Sequence, residues 1–236
     1  MRLKAFKNGD KMAVERDIVS NYERWFLTPA GMYTDDKEKD LLINTMRFKR
    51  GERVLEIGCG TGRNLEYLTD LGLEAAGVEP VEELIKKARQ KSTIKNDQLI
   101  RCSYEKLPLG DASFNNVIFM NTFGFAGDKA AALKEAYRVA SKKIGIGFLN
   151  KNSLTKIFKV KERRAVYNDS APLSGNEIMK IVKEALAGKE KEYTIQLKYT
   201  LYLPINVGYM FSFADDLLEK INLPVGDFGM MVVTKK

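Results

Sequence analysis

The sequence of 236 residues contains no histidine, only two cysteines and one tryptophan. Without histidine, Ser-His-Asp and Cys-His catalysis and the usual imidazole base are excluded. Two cysteines with no histidine also leave too few soft ligands for a structural zinc site. We therefore expect a chemistry that uses neither imidazole nor zinc.

The sequence also lacks a long hydrophobic run and a disulfide framework. No apolar stretch approaches the ~20 residues of a membrane span, and the basic N-terminus has no hydrophobic region typical of a secretory signal. Two cysteines, one of them Cys59 inside a glycine-rich stretch, favour a reducing compartment. We predict a cytoplasmic protein with no membrane span, long enough to bury a sizeable core in one domain.

Positive charge exceeds negative charge, with 39 lysines and arginines against 31 acidic residues. The excess is concentrated in residues 151–164, where six basic side chains accompany one acidic side chain. Such a cluster can bind nucleic acid or an acidic substrate, or it can be a solvated lysine-rich face. We favour the solvated face and keep RNA as the alternative partner.

A glycine-rich stretch after a short apolar run organises the chain. Residues 52–57 predict a buried strand, and residues 63–70 predict a helix because their leucines recur at helical spacing. Between them lie three glycines at alternate positions, Gly58, Gly60 and Gly62. A loop from strand to helix is where open α/β sheets bind nucleotides. The dinucleotide fingerprint needs glycine at its sixth position, and Arg63 stands there, which disfavours NAD(P).

Strand-like and helix-like segments alternate along the middle of the chain. Further strands are predicted at residues 73–78, 98–103, 116–120 and 144–150, and helices at residues 80–91 and 128–140. This alternation predicts a parallel, doubly wound α/β sheet. Near the end, a helix is predicted at residues 175–186, another at 213–221, and two strands at 193–203 and 229–235. These late strands are expected to pair antiparallel at an edge.

Two helices are predicted before the first strand. The first covers residues 10–26 and is ended by Pro29, and the second begins at Asp35 or Asp36 as its N-cap. The single tryptophan, Trp25, lies in the first of them. It either packs this region against the sheet or belongs to a lid over the site, and both interpretations stay open.

The pattern E-x-G-x-G-x-G, which begins at Glu56, resembles motif I of the class I S-adenosylmethionine-dependent methyltransferases. The resemblance covers about residues 50–150, and the rest of the chain is similar only in layout to the type-11 methyltransferase group. It implies a Rossmann-like, seven-stranded, mostly parallel sheet with an antiparallel last strand, N-terminal helices and a helical insertion after strand five. S-adenosylmethionine would be the cofactor and S-adenosylhomocysteine the product.

The resemblance also implies which residues hold the cofactor. Glu79 ends the second strand, where a carboxylate can accept hydrogen bonds from both ribose hydroxyls. Glu56 is an acid within an apolar strand, and a cationic amino group would suit it as a partner. The residues predicted at the cofactor are Glu56, Gly58, Cys59, Gly60, Gly62, Asn64, Glu79, Pro80, Ser103, Tyr104, Glu105 and Asn121.

The predicted reaction is an in-line displacement, which needs alignment and exclusion of water more than it needs a base. Asn121 takes the position that faces the methyl group and the acceptor in the resembled family, and Glu105 is the candidate base. The motif that begins at Asn121 is not NPPY, and no Pro-Cys pair exists for covalent cytosine chemistry. It does not resemble the metal-binding carboxylates of catechol-type enzymes either, so no metal is predicted.

The chain is predicted to form one methyltransferase domain with four parts. They are an N-terminal helical lid (residues 1–49), the cofactor-binding core (50–150), a cap or insertion (151–190) and C-terminal edge strands (191–236). A small-molecule acceptor is favoured because no nucleic-acid module is appended to the core. The alternatives are an RNA methyltransferase that uses residues 151–164 and a non-catalytic S-adenosylmethionine-binding protein.

Overall fold

The computed structural model describes residues 23–91, 93–154, 172–203 and 212–236. Within them, seven strands form a sheet in the order β3-β2-β1-β4-β5-β7-β6. The strands are β1 (Arg53–Ile57), β2 (Glu74–Val78), β3 (Leu99–Ile100), β4 (Phe114–Met120), β5 (Ala140–Leu149), β6 (Tyr193–Thr200) and β7 (Phe228–Lys235). Strands β1 to β5 pair in parallel, whereas β7 runs antiparallel to both β5 and β6. The predicted seven-stranded sheet with an antiparallel last strand is confirmed.

Helices cover both faces of this sheet. They are α1 (Pro29–Met46), α2 (Arg63–Asp70), α3 (Glu82–Ala88), α4 (Lys129–Val139), α5 (Gly175–Ala185) and α6 (Ser212–Ile221). Leu42 of α1 and Leu65 of α2 belong to one buried cluster, and Leu133 of α4 and Ile178 of α5 belong to another. The two clusters are what a sheet buried on both faces requires.

The start of α1 differs from the prediction. Residues 23–25 are helical and residues 26–28 are not, so a helix does end before Pro29, but Pro29 also opens α1. The N-cap of α1 is Thr28 rather than Asp35 or Asp36. The Thr28 hydroxyl oxygen accepts a hydrogen bond from the Gly31 amide at 3.0 Å. Proline suits the first turn of a helix because its missing N–H would have no partner there. The prediction therefore placed the second helix too late, since α1 begins at Pro29 rather than after Asp35 or Asp36.

Two further boundaries differ from the sequence pattern. Pro80 was expected in the first turn of a helix, but α3 begins at Glu82 with extended Val81 as its N-cap. The Glu79 carboxylate accepts a hydrogen bond from the Val81 amide at 3.0 Å, which holds this turn outside the helix. Strand β3 contains two residues rather than the six predicted, because after Ile100 the chain leaves the sheet.

Some predictions concern residues outside the described ranges. The first predicted helix, residues 10–26, is described only from residue 23, and the basic segment 151–164 is described only for its first four residues. The division into four parts stays a prediction. Among the described helices, none is long and apolar enough to cross a membrane.

The topology brings the carboxyl ends of β1, β2 and β4 together. Strand β1 lies between β2 and β4, so the strand order reverses beside it. A crevice at such a reversal is the usual ligand site of an open α/β sheet. The glycine loop follows β1, Glu79 follows β2 and Asn121 follows β4. The fold therefore gathers three of the predicted site segments at one edge.

Candidate cofactor site and the family of the chain

The glycine loop adopts backbone conformations that its glycines permit. Gly58, Gly60 and Gly62 have φ angles of 81°, 54° and 77°, all in the left-handed region. A Cβ at Gly58 would lie 2.6 Å from the Thr122 Cβ, so glycine is also needed there for packing. A Cβ at Gly60 would have no heavy atom within 4 Å. The backbone at Gly60 therefore faces open space, where a ligand can approach it.

Glu56 is buried in β1 with only one of its two carboxylate oxygens hydrogen-bonded. Its Oε1 accepts from the Asn64 side-chain amide at 2.7 Å, whereas its Oε2 has no hydrogen-bond partner among the described residues. The pKa of the Glu56 carboxyl is raised to about 8, mainly because burial disfavours its charge and also because the Glu79 charge is near, although the Asn64 hydrogen bond opposes the shift. A cationic group beside Oε2 would relieve this cost.

Glu79 directly follows β2 and turns its carboxylate toward the glycine loop. Its Oε2 accepts from the Gly60 amide at 3.1 Å, and its Oε1 accepts from Val81. Burial raises the pKa of this carboxyl, and the two backbone hydrogen bonds oppose that shift. Because each carboxylate oxygen has a second lone pair, Glu79 can still accept hydrogen bonds from a pair of ribose hydroxyls.

The remaining predicted residues divide into buried and exposed ones. Tyr104 is buried, and its hydroxyl would lie 2.8 Å from a Cβ at Gly58, so its side chain packs under the loop. Cys59 is also buried, which raises the pKa of its thiol. Ser103 and Pro80, by contrast, are exposed.

The candidate base Glu105 is engaged elsewhere. Its Oε1 accepts hydrogen bonds from the Gly127 amide at 2.8 Å and from the Asp128 amide at 3.3 Å. These contacts fix the turn that precedes α4. The structure thus gives Glu105 a supporting role in this turn, and its role as a base stays a prediction.

Asn121 follows β4 directly and is 7% exposed. Its φ of 60° is left-handed, and its backbone amide donates to the Gly147 carbonyl at 3.0 Å. Its side-chain Nδ2 donates to Glu38 Oε2 of α1 at 2.9 Å. The structure therefore places a buried acid of α1 beside the residue predicted to face the acceptor.

Sequence reasoning missed Glu38. Helical spacing could have revealed it, because Glu38 lies four residues after Thr34 and three before Leu41, on the buried face of α1. In the sequence it stands within a charged run, DDKEKD, that looks like a solvated surface. Asp35, on the same buried face, pairs with Arg63 at 2.6 Å and joins α1 to the helix after the glycine loop.

Residues 55–144 match the family model of a methyltransferase domain. Together with the strand order and the glycine loop, this match shows that the middle of the chain is similar to a methyltransferase domain.

Solved structures are similar to this methyltransferase domain over most of the chain. One is a methyltransferase from Thermotoga maritima, named as a possible histamine N-methyltransferase, which is 26% identical with a TM-score of 0.66. The alignment covers 93% of this chain and 97% of that one. Another is the plantazolicin methyltransferase in complex with S-adenosylhomocysteine, at 18% identity and a TM-score of 0.63, over 94% of this chain and 90% of that one. The second likeness concerns the fold alone.

Curated relatives match the methyltransferase core over shorter stretches. An S-adenosyl-L-methionine-dependent Diels-Alderase of Talaromyces variabilis is 29% identical over 107 residues, which are 43% of this chain and 37% of that protein. The chain spans less than half the length of the curated relatives that it matches.

The residues present fit S-adenosylmethionine. The unpartnered buried oxygen of Glu56 suits a cationic amino group, the paired oxygens of Glu79 suit two ribose hydroxyls, and the open backbone at Gly60 leaves room between them. Within the described residues, no group of three acidic or cysteine side chains comes together to hold a metal ion.

Proposed function

We propose that this protein transfers the methyl group of S-adenosylmethionine to a small-molecule acceptor. The observation that carries the proposal is the buried carboxylate of Glu56, whose Oε2 is without a hydrogen-bond partner among the described residues beside a left-handed glycine loop. An uncompensated buried acid is costly to a folded protein. A ligand with a cationic amino group would make that placement favourable.

The protein contributes to methyl transfer mainly by positioning the cofactor. When bound, S-adenosylmethionine supplies an activated methyl group, which an acceptor lone pair takes while the electron pair of the broken C–S bond stays on sulfur. Glu56 would hold the amino-acid end and Glu79 the ribose, so that the cofactor is fixed at two points. Alignment of this kind supplies roughly 7–11 kcal/mol of barrier lowering, which is compatible with a protein that has no histidine.

We assign no general base to the reaction. The two backbone hydrogen bonds of Glu105 argue against the base role considered for it. An acceptor that arrives as a neutral amine or as an anion needs little assistance from a base. Asn121 stays the residue proposed to face the acceptor, because it follows β4 at the same edge of the sheet as the glycine loop.

The division of the chain is part of the proposal. Helix α1 lies in the proposed lid, residues 1–49, and reaches the site through Glu38 and Asp35. Helix α5 lies in the proposed cap, residues 151–190, yet its Ile178 and Val182 belong to the buried core. These contacts support a lid on the N-terminal side, whereas the contacts of α5 are those of a core helix.

The relatives support a small acceptor. The Thermotoga maritima structure is named as a possible histamine N-methyltransferase and is similar over most of this chain. The RNA alternative depends on residues 151–164, and no observation on the described residues favours it.

Calorimetry of the purified protein with S-adenosylmethionine and with S-adenosylhomocysteine tests cofactor binding. Tritiated S-adenosylmethionine with a panel of small amines, phenols and acids then tests transfer. We expect binding of both cofactor forms and labelled product from at least one acceptor class. No binding of either form at millimolar concentration would overturn the proposal.

A second function is favoured by one relative. The Talaromyces variabilis protein depends on S-adenosylmethionine but is named for a cycloaddition. The protein could bind the cofactor and yet yield no S-adenosylhomocysteine with any acceptor. In that case we would propose a function in which S-adenosylmethionine is bound but not consumed, in place of methyl transfer.

A further inference from the structure

Tyr104 has a buried hydroxyl that the fold leaves without a hydrogen bond. The residue is 7% exposed, and its hydroxyl neither donates to nor accepts from any residue that the structure describes. Its oxygen is not fully enclosed by protein atoms either, so it borders open space. A buried tyrosine usually directs its hydroxyl to a partner, because an unpaired polar group at this depth is costly. The Tyr104 hydroxyl therefore indicates a contact with a ligand.

The Tyr104 side chain reaches across the carboxyl edge of the sheet. Tyr104 belongs to the segment after β3, yet a Cβ placed on Gly58 would lie 2.8 Å from its hydroxyl oxygen and 2.8 Å from the Thr122 Cγ2. Gly58 directly follows β1, and Thr122 lies two residues after the end of β4. The hydroxyl is therefore placed where the ends of β1 and β4 meet, next to the segment that carries Asn121.

The carboxylates proposed to hold the two ends of the cofactor both act on this hydroxyl. The pKa of the Tyr104 hydroxyl is raised, mainly by burial and also by the charges of Glu79, Cys59, Glu56 and Glu105. The hydroxyl is therefore neutral and lies in a negative potential, which favours a cation beside it. Because Glu79 is proposed to hold the ribose and Glu56 the amino group, a group close to both lies between those ends. In S-adenosylmethionine, the atom that joins the ribose to the amino-acid chain is the positively charged sulfur.

We propose that the Tyr104 hydroxyl oxygen contacts the sulfonium centre of S-adenosylmethionine and raises the affinity for this charged form relative to S-adenosylhomocysteine. This inference rests on the proposed function, because it concerns the cofactor side of that same site. The lone pairs of a phenol oxygen attract the polarised C–H groups next to a positive sulfur. After methyl transfer the sulfur is an uncharged thioether, and this attraction is lost. Tyr104 thereby favours release of the product and limits inhibition by it.

A tyrosine that only filled space beneath the glycine loop would behave differently. Loss of its hydroxyl would then leave the affinity for every cofactor form unchanged or alter all of them by the same factor. If the hydroxyl recognises the positive charge, its loss changes the ratio between the affinities for charged and uncharged forms. The experiment therefore compares ligands that differ at the position of the sulfur.

Calorimetry on the full chain measures binding of S-adenosylmethionine, S-adenosylhomocysteine and sinefungin, in which a carbon that carries an ammonium group replaces the methylated sulfur. Tyr104→Phe keeps the ring and removes the hydroxyl. It should weaken binding of S-adenosylmethionine about two- to fivefold and binding of sinefungin about tenfold, because an ammonium group donates a stronger hydrogen bond to the phenol oxygen. Binding of S-adenosylhomocysteine and the Tm of the free protein should not change.

Tyr193→Phe is the matched control. Tyr193 is also 7% exposed, but it begins β6 at the edge of the sheet opposite the glycine loop. Removal of its hydroxyl should therefore alter none of the three affinities.

Three outcomes would overturn the inference. They are an unchanged ratio of affinities in Tyr104→Phe, the same change of ratio in Tyr193→Phe, and a large loss of Tm in Tyr104→Phe, which would mean that the hydroxyl stabilises the protein itself. Each of these leaves the proposed function standing if S-adenosylhomocysteine binds the wild-type protein. Failure of both cofactor forms to bind the wild type is the separate result that removes the proposed function and this inference with it.

Discussion

At the scale of single residues, the candidate site depends on groups that are costly without a ligand. Glu56 is buried with a pKa raised to about 8 by desolvation, and three glycines of one loop have left-handed backbones. Structure that is unfavourable for folding and lies at the carboxyl edge of a parallel sheet is typical of a binding site. Two substitution experiments separate the cost to folding from the contribution to binding.

Glu56→Gln should change how stability depends on pH in the cofactor-free protein. The folded-state pKa is raised from 4.5 to about 8, so the folded protein keeps a proton that the unfolded chain loses across that window. The free energy of unfolding of the wild type therefore falls as the pH rises from about 4.5 to 8. Glutamine does not titrate and keeps the Asn64 hydrogen bond, so this fall should disappear.

Urea denaturation at pH 5 and pH 8 measures this effect. Because one pKa unit corresponds to about 1.4 kcal/mol, the variant should gain on the order of 3–5 kcal/mol relative to wild type at pH 8. Glu74→Gln removes an exposed carboxylate and is the control. Parallel pH profiles of the wild type and Glu56→Gln would show that Glu56 does not titrate as described.

Gly60→Ala should mainly weaken ligand binding, whereas Gly62→Ala should mainly lower the stability of the protein. Both place alanine in a left-handed conformation, which costs about 1–2 kcal/mol. The Cβ at position 60 enters open space, whereas at position 62 it would lie 2.5 Å from the Ile94 Cδ1 and 3.2 Å from the Ala88 Cβ. We expect Gly60→Ala to weaken S-adenosylhomocysteine binding about tenfold with a modest fall in Tm.

Gly62→Ala, in contrast, should lower Tm more than Gly60→Ala because it overpacks the loop against α3. Calorimetry and thermal melts on both proteins make the comparison. If Gly60→Ala binds the ligand like wild type, the open space above Gly60 is not part of the site.

At the scale of elements, α1 and α6 are joined through one buried carboxylate. Asp215 of α6 is 0% exposed; its Oδ1 accepts from the Tyr202 and Leu203 amides at 2.8 and 2.9 Å, and its Oδ2 accepts from the Tyr33 hydroxyl at 2.7 Å. Because Tyr33 belongs to α1, this carboxylate links the proposed lid to the chain that follows β6. Helix α1 therefore has a fixed position from which Glu38 can reach Asn121.

Asp215→Ala should destabilise the protein through these lost contacts. It leaves three donors without their acceptor, and buried unsatisfied groups cost about 1–3 kcal/mol each. A loss of about 3 kcal/mol would lower Tm by roughly 6–12 °C in a protein of this size. Asp216→Ala is the control, since Asp216 is 60% exposed and its ion pair with Lys37 contributes little. Similar Tm values for the two variants would contradict the proposed role of Asp215 in joining α1 to α6.

At the scale of the whole molecule, ligand binding should stabilise the folded sheet as a whole. The glycine loop, Glu79 and Asn121 follow three different strands, so a ligand that contacts them binds only the folded chain. Such a ligand stabilises the protein by mass action, by about 2.7 kcal/mol at one hundred times its dissociation constant.

S-adenosylhomocysteine at that concentration should therefore raise Tm by about 5–10 °C. NAD and NADP should produce no comparable shift, because Arg63 stands where the dinucleotide fingerprint needs glycine. Differential scanning fluorimetry with each ligand makes this comparison. A shift with NAD and none with S-adenosylhomocysteine would reverse the assignment of the cofactor.

The sequence by itself determined the alternation of strands and helices, the glycine loop and the positions of Glu56 and Glu79, because these are local patterns of apolar spacing, glycine and charge. Local patterns misled where a residue type suits two roles: Pro29 follows the end of one helix but also opens α1, and Pro80 lies outside α3. Only the tertiary structure decided that Glu105 supports a turn and that Glu38 lies beside Asn121. Glu38 and Asn121 are 83 positions apart, and the packing of α1 over the strand ends is what joins them.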